Sequence, residues 1–385
     1  MLELALQGSK RYYTWIAALL ALIGVGFACY LYQFDFGLGI TGMSRDVSWG
    51  FYIANFTFLV GVAAGGVMVV LPYYIHNYKA FGRITILGEF LAISAVTMCL
   101  LFIIVDLGQP IRALNVLLYP TPTSILFWDM IVLNGYLFLN IIVGWNVLQA
   151  ERNGVPPQKW LKPLIYLSIP WAVGIHTVTA YLYCGLPGRG FWLTAILAPR
   201  FLASAFAAGP SFLILLCLLI RNITKFDPGR EQIQSLAKIV TYAIILNVFF
   251  LLCEVFVAFY SNIPEHTDHL TYLFAGLHGK SALVPWMWTS MVLMAVAILL
   301  LIVPVTRQNE TVLAVACVCV FLGTWIDKGM GMISGGFVPS PLHHVNEYMP
   351  TFPEILITIG VYGVGFLVLT ALFKIATTVK EEVAA

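Results

Sequence analysis

Ten long apolar runs, each bounded by charged or Pro- and Gly-rich breaks, divide the chain at about 13–33, 50–75, 84–107, 125–148, 161–183, 200–221, 236–260, 284–306, 311–328 and 353–376. A helix needs roughly 20 mostly apolar residues to cross the hydrocarbon core of a bilayer. It also pairs its own backbone N–H and C=O groups, which the hydrocarbon cannot do. The pattern therefore predicts an all-α integral membrane protein with ten transmembrane helices. Composition agrees: of 385 residues, 60% are hydrophobic and 10% charged, whereas a soluble domain carries about 25% charged residues. A net charge of +2, with no acidic or basic tail, gives no reason to expect nucleic-acid binding. The first run follows Lys10 and Arg11 as a signal peptide would, but it lacks a small-residue cleavage site and reads as a retained anchor.

Orientation follows from the basic residues, because Lys and Arg in short loops stay in the cytoplasm. Of the 20 basic residues, only Arg45, Arg112, Arg189, Arg200, Lys280 and Lys328 fall on the side opposite the termini. Both termini are thus expected on the cytoplasmic side of the cell membrane. The loops after spans 1, 3, 5, 7 and 9 become external; they are rich in Pro, Gly, aromatics and His, as in Gly329 to Pro353. Such loops either pack on the helix ends or form a docking surface for an extracytoplasmic partner.

A weak internal echo runs through the chain. Span 4 reads Trp128, then Val132 and Leu133, and span 8 reads Trp288, then Val292 and Leu293. Span 2 carries Gly61, Ala64 and Gly65, and span 6 carries Ala203, Ala207 and Gly209. Both pairs lie four spans apart, which suits two four-helix bundles in a single membrane domain. The first is expected over about 50–183 and the second over about 200–328, with flanking helices at about 13–33 and 353–376.

The ligand types for redox centres are scarce. The seven Cys lie inside spans or, for Cys184, at a span end, with no C-x-x-C pair, so an iron–sulfur cluster is not expected in this chain. Of the His residues only His176 lies well inside a span, which excludes a bis-His haem. His266 and His269 could bind a metal, but a solvated or partner-contacting role fits them better, and no metal site is expected.

Ionisable groups inside spans demand a reason, since each costs a few kcal/mol unless paired or hydrated. Glu89 falls near the cytoplasmic end of span 3. Asp106 at the external end of span 3, Asp129, His176 and Glu254 all lie toward the outside, near Arg112 and Arg200 at the external margins. They read either as helix-to-helix hydrogen bonds or as a protonatable site for an amphiphilic ligand. Pro170 removes a backbone donor six residues before His176 and bends that helix. In span 2, Trp49 to Tyr52 forms an aromatic edge and Gly61 to Gly66 a close-packing face.

Four segments together resemble the NrfD/PsrC family of polytopic quinone-interacting membrane subunits: SWGFYIANFTFLVGVAAGG (Ser48–Gly66), DLGQPIR (Asp106–Arg112), the run from His176 to Pro210 and the run from Asp327 to Gly360. The match covers all ten spans in order. Length, helix count and the final segment look closest to the DsrP branch of DsrMKJOP (Hme) complexes, with the hydrogenase-linked HybB and the alternative complex III subunits as nearest rivals. The resemblance implies a subunit with no redox cofactor of its own. It exchanges electrons between menaquinone and a ferredoxin-like iron–sulfur protein on the external face, beside other membrane and cytochrome subunits. It further implies that Trp49 to Asn55 and Asp106 to Arg112 flank the quinone pocket. Some relatives carry a His shortly before the span-2 glycines, where this chain reads Asn55, Phe56, Thr57.

The expected headgroup residues are therefore Trp49, Asn55, Asp106, Arg112 and His176, with Glu89, Asp129, Glu254 and His176 as a proton relay. An ion-coupled secondary transporter and a structural anchor without a quinone site remain the alternatives.

Overall fold

The computed structural model describes residues 1–76 and 78–384, and these are helical almost throughout, with one isolated bridge between Leu277 and Lys280. Among the described residues, ten helices are long and apolar enough to cross a membrane. They are α1 (Lys10–Phe36), α2 (Phe51–Tyr74), α3 (Thr85–Asp106), α4 (Ile125–Arg152), α5 (Leu161–Cys184), α6 (Leu197–Ile223), α7 (Arg230–Ser261), α8 (Val284–Ile302), α9 (Glu310–Phe337) and α10 (Phe352–Val383). The protein is a multi-pass, all-α integral membrane protein, as the apolar runs predict. Ser9 starts α1 by accepting a hydrogen bond from Tyr12 N at 3.3 Å, and Asn309 starts α9 by accepting from Thr311 N and Val312 N. Each cap satisfies donors that a helix cannot pair internally.

Burial sorts the helices. The apolar core of α2 is 94% buried within the protein, against 11% for α1, so α2 is the central column and α1 shows most of its surface to lipid. Around α2 stand α3, α5, α6 and α9, while α4 packs on α3 and α5. On the other side α6 packs against α7 and α9, and α8 lies between α7 and α9. Helices α1 and α10 pair with each other along the outer face of α3.

Two glycines let the column form. A Cβ on Gly65 would overlap the backbone of Gly209 in α6, and one on Gly66 would come within 2.5 Å of Gly88 O in α3. Helix α2 makes a turn at these two residues in mid-membrane. With little side-chain desolvation to gain in lipid, such close backbone contact supplies the packing energy.

The structure lengthens span 9. The sequence places its end near residue 328, but α9 runs through a π-helical segment, Trp325–Gly331, and on to Phe337. Lys328, assigned by sequence to the external loop, therefore lies inside the span, roughly 14 Å before the end of α9 at 1.5 Å per residue. Arg200, assigned to a helix margin, is likewise only 6% exposed.

On the face opposite the termini the loops knit into a lid. His269, on the short helix Pro264–Phe274, places Nδ1 2.8 Å from both Gly335 O and Val338 O. Trp192 Nε1 donates to Met332 O at 2.9 Å, and Arg189 donates to Phe337 O and Asp46 O. The buried Glu354 carboxylate accepts from Gly42 N, Thr351 N and Tyr348 Oη, each at 2.7 Å, and so ties the loop before α2 to the start of α10.

Candidate functional site

Beneath the lid, four charged side chains from three helices meet. Arg200 on α6 donates to Glu254 on α7 and, at 2.7 Å, to Asp327 on α9. The π-helical turn sets Asp327 beside Lys328, whose ammonium lies 4.2 Å from the centre of the Phe201 ring and 3.4 Å from Phe201 O. Gly61 gives Lys328 room: a Cβ there would stand 3.1 Å from Nζ. Two cations and two carboxylates cancel formally, which is how a membrane interior tolerates such a group. Asn247, fully buried in the same cavity, leaves Oδ1 without a partner. Wide π-turns of this kind recur at functional positions in helices.

A second polar group lies across α2, on α4 and α5. Thr179 donates to Asp129 at 2.6 Å, and the Tyr183 and Thr57 hydroxyls bond to each other. His176 sits 3.0 Å from Ala172 O through Nδ1. That carbonyl can only accept, so the neutral ring carries its proton on Nδ1 and presents Nε2 as a bare acceptor. Nε2 is buried and has no partner.

The remaining sequence-predicted residues separate by role. Asp106 closes α3 with Oδ1 buried and unpartnered, within reach of Tyr52 and Glu354. Tyr52 Oη in turn donates to Gln33, which donates to Val105 O. Trp49 stands in an aromatic cluster with Tyr183, Trp192 and Phe337, its ring centre 5.7, 6.2 and 5.8 Å from theirs. Asn55 is already engaged: Oδ1 accepts from Trp325 Nε1 at 3.0 Å and Tyr362 Oη at 2.8 Å, and Nδ2 donates to Phe51 O. Arg112 is exposed on the short helix Pro110–Leu114 and makes no side-chain hydrogen bond among the described residues. Glu89 is buried at the opposite end of α3, with Oε2 unpartnered beside Gly144 and the carboxylate within reach of Lys380.

Sequence reading missed Asp327 and Lys328 as site residues, along with Thr179, Tyr183, Asn247 and Glu354. A signal for the first two existed: 311–328 is short for a span, and the residues after it, GMGMISGGF, stay uncharged and mostly apolar. Among the described residues, no cluster of three or more His, Cys, Asp or Glu is placed to hold a metal ion.

Ten packed helices around a buried, charge-balanced polar centre define a polytopic membrane protein with an ionisable core. The chain matches the polysulphide reductase NrfD family over residues 39–338 and belongs to it. It is 27% identical to a putative dimethyl sulfoxide reductase membrane subunit of Halobacterium salinarum, over 93% of this chain and 89% of that protein. It is 24% identical to an Hdr-like menaquinol oxidoreductase integral membrane subunit of Archaeoglobus fulgidus, over 97% of this chain and 95% of that protein. It is 21% identical to the integral membrane subunit of a menaquinone reductase of Nitratidesulfovibrio vulgaris, over 97% and 93%.

Proposed function

We propose that this chain is the membrane subunit of a respiratory quinone oxidoreductase complex, exchanging electrons between menaquinone and an iron–sulfur subunit docked on the lid. Membership of the NrfD family and the named roles of its relatives support this reading. The observation that carries it into the site is that two of the sequence-predicted headgroup residues, Asp106 and His176, each keep a buried acceptor without a partner, Oδ1 and Nε2. A quinol offers two O–H donors, which such atoms lack. Trp49 walls the ring, Asn55 positions the start of α2 through its three hydrogen bonds, and the exposed Arg112 is free to meet the partner. Both termini lie in the cytoplasm, as the basic residues indicate, so the lid faces outward.

Oxidation of one quinol to a quinone gives up two electrons and two protons. The electrons pass one at a time to the partner's cluster, and the protons need local acceptors. Asp106 and His176 take them, and Asp129 and Glu254 pass them on. Glu89 stands at the cytoplasmic end, where the nearby Lys380 is paired with Glu151. In the first half α3 packs against α2 and α4, and α5 against α4 and α2; in the second α6 packs against α7 and α9, and α8 against both of these, which supports two four-helix units of about 50–183 and 200–328. A DsrMKJOP-type complex linked to dissimilatory sulfur metabolism is the assembly this reading favours.

The test is purification from native membranes followed by titration with a menaquinol analogue. Co-purification with an iron–sulfur protein, and cluster reduction that Asp106→Asn suppresses, are the expected results. A chain that purifies alone points to a transporter. One that co-purifies but neither binds the analogue nor responds to Asp106→Asn is an anchor.

A further inference from the structure

A cavity of about 490 Å³ opens between α7, the loop residues 191–196 and the helix Pro264–Phe274. It is separate from the headgroup region just described, since none of Trp49, Asn55, Asp106 and His176 lines it. Its volume falls in the range of small-molecule sites, roughly 300–1,000 Å³. The walls are mostly apolar, including Phe191, Ile196 and Leu270, with Thr194, Ser261 and His266 as polar members, and Glu254 lies at the inner end.

Glu254 is built for this position. One carboxylate oxygen is held by the buried Arg200, which is also bonded to Asp327. The other, Oε1, accepts no hydrogen bond among the described residues, and the side chain keeps 13% of its surface exposed, in a cavity that it lines. Because Arg200 and Lys328 balance Glu254 and Asp327, the inner end carries no net charge to attract an ionic headgroup. It offers an acceptor for a neutral O–H. The outer rim runs past Val257 and Ile263, which are 62% and 43% exposed, and so leads an apolar tail toward lipid.

Placement adds a second argument. Asp106 lies toward the lid end of α3, beside the loop that precedes α2. Glu254 lies toward the lid end of α7, beside the loop that precedes α6. In the two-unit reading, with α2 and α6 meeting at Gly65 and Gly209, these are corresponding places in the two halves.

We infer that this cavity is a second site for an uncharged, ring-hydroxyl amphiphile of the quinol class, its O–H donated to Glu254 Oε1 and its tail leaving between Val257 and Ile263. The inference rests on the proposed function for the ligand class alone.

The test uses the full chain in phosphatidylcholine nanodiscs, a photoreactive azidonaphthoquinol and peptide mapping of the label. Labelling is expected at 253–263 as well as at 49–55; residues 191–196 do not serve as the readout, because Trp192 also stands against Trp49. Ala195 is exposed and lines this cavity, so Ala195→Trp should cut the label at 253–263 at least tenfold and leave that at 49–55 unchanged. Label at 49–55 without any at 253–263 overturns this inference and spares the proposed function. Label at 253–263 alone overturns the headgroup region instead, and label at neither overturns both. Indifference of the 253–263 label to Ala195→Trp, or its full displacement by a plain alkane, also overturns the inference, the latter by making the cavity a lipid-chain site.

Discussion

At the scale of single residues, three of the protein's unsatisfied polar atoms lie in the polar groups around the central helix. His176 Nε2, Asp106 Oδ1 and Asn247 Oδ1 are buried without partners among the described residues, as are Glu89 Oε2, Arg307 Nε and the hydroxyls of Ser334 and Thr358, in a molecule that pairs many of its interior hydroxyls with helix carbonyls one turn away. A buried acceptor left bare costs about 1–3 kcal/mol, so these atoms mark where a ligand or water is accommodated. Losing a general base typically costs at least about 10²-fold in rate. Asp106→Asn is therefore expected to slow oxidation of a menaquinol analogue by about that factor while the thermal midpoint stays close to wild type. Thr179→Val does the opposite: it removes the donor to buried Asp129 and should lower stability by about 1–3 kcal/mol, read as an earlier thermal transition in detergent. His269 gives a pH signature. Burial pushes its imidazole below the ordinary value of 6.5, although the two carbonyls oppose the shift. The unfolded lid then binds a proton that the folded lid does not. The stability this residue contributes is present above about pH 6.5 and is lost as pH falls below it. Protection factors against hydrogen exchange in residues 264–274, corrected for the intrinsic pH dependence of exchange, should be lower at pH 5.5 than at pH 7.5, and His269→Gln should flatten that difference.

At the scale of elements, apolar length set the helices and small residues set their contacts. All ten spans were legible, because the bilayer demands the same long uncharged run from each. The exception at the end of span 9 has a physical cause. Asp327 and Lys328 look like a helix terminus in sequence, and only Arg200 and Glu254, about 127 and 73 residues away along the chain, make their burial tolerable. The same holds for Gly65, which reads as one of many small residues until Gly209 is seen against it. Gly65→Ala is expected to cost about 1–3 kcal/mol through overpacking. Gly24, whose Cβ would meet nothing within 4 Å, is the control: Gly24→Ala should leave the melting temperature unchanged or raise it slightly. Equal melting of the two variants would remove the close α2–α6 contact from the account of the fold.

At the scale of the whole molecule, the buried polar groups lie between the lid and mid-membrane, and Glu89 alone among the sequence-predicted acids stands toward the termini. If protons cross the protein, they pass Glu89. Glu89→Gln should reduce proton movement in vesicles containing the assembled complex and leave quinol oxidation largely intact; unchanged proton movement would sink that relay. The sequence by itself determined the class of molecule, the ten spans and the few ionisable residues that had to be explained, because transfer of apolar runs and charges between water and lipid is a property of local composition. Only the tertiary structure decided which of those residues meet. It bound Arg200 to Glu254 and Asp327, engaged Asn55 with Trp325 and Tyr362, and left His176 and Asp106 each with a bare atom. Pairing of buried charges and hydrogen bonds depends on distances between helices far apart in the chain, and no single run of sequence carries that information.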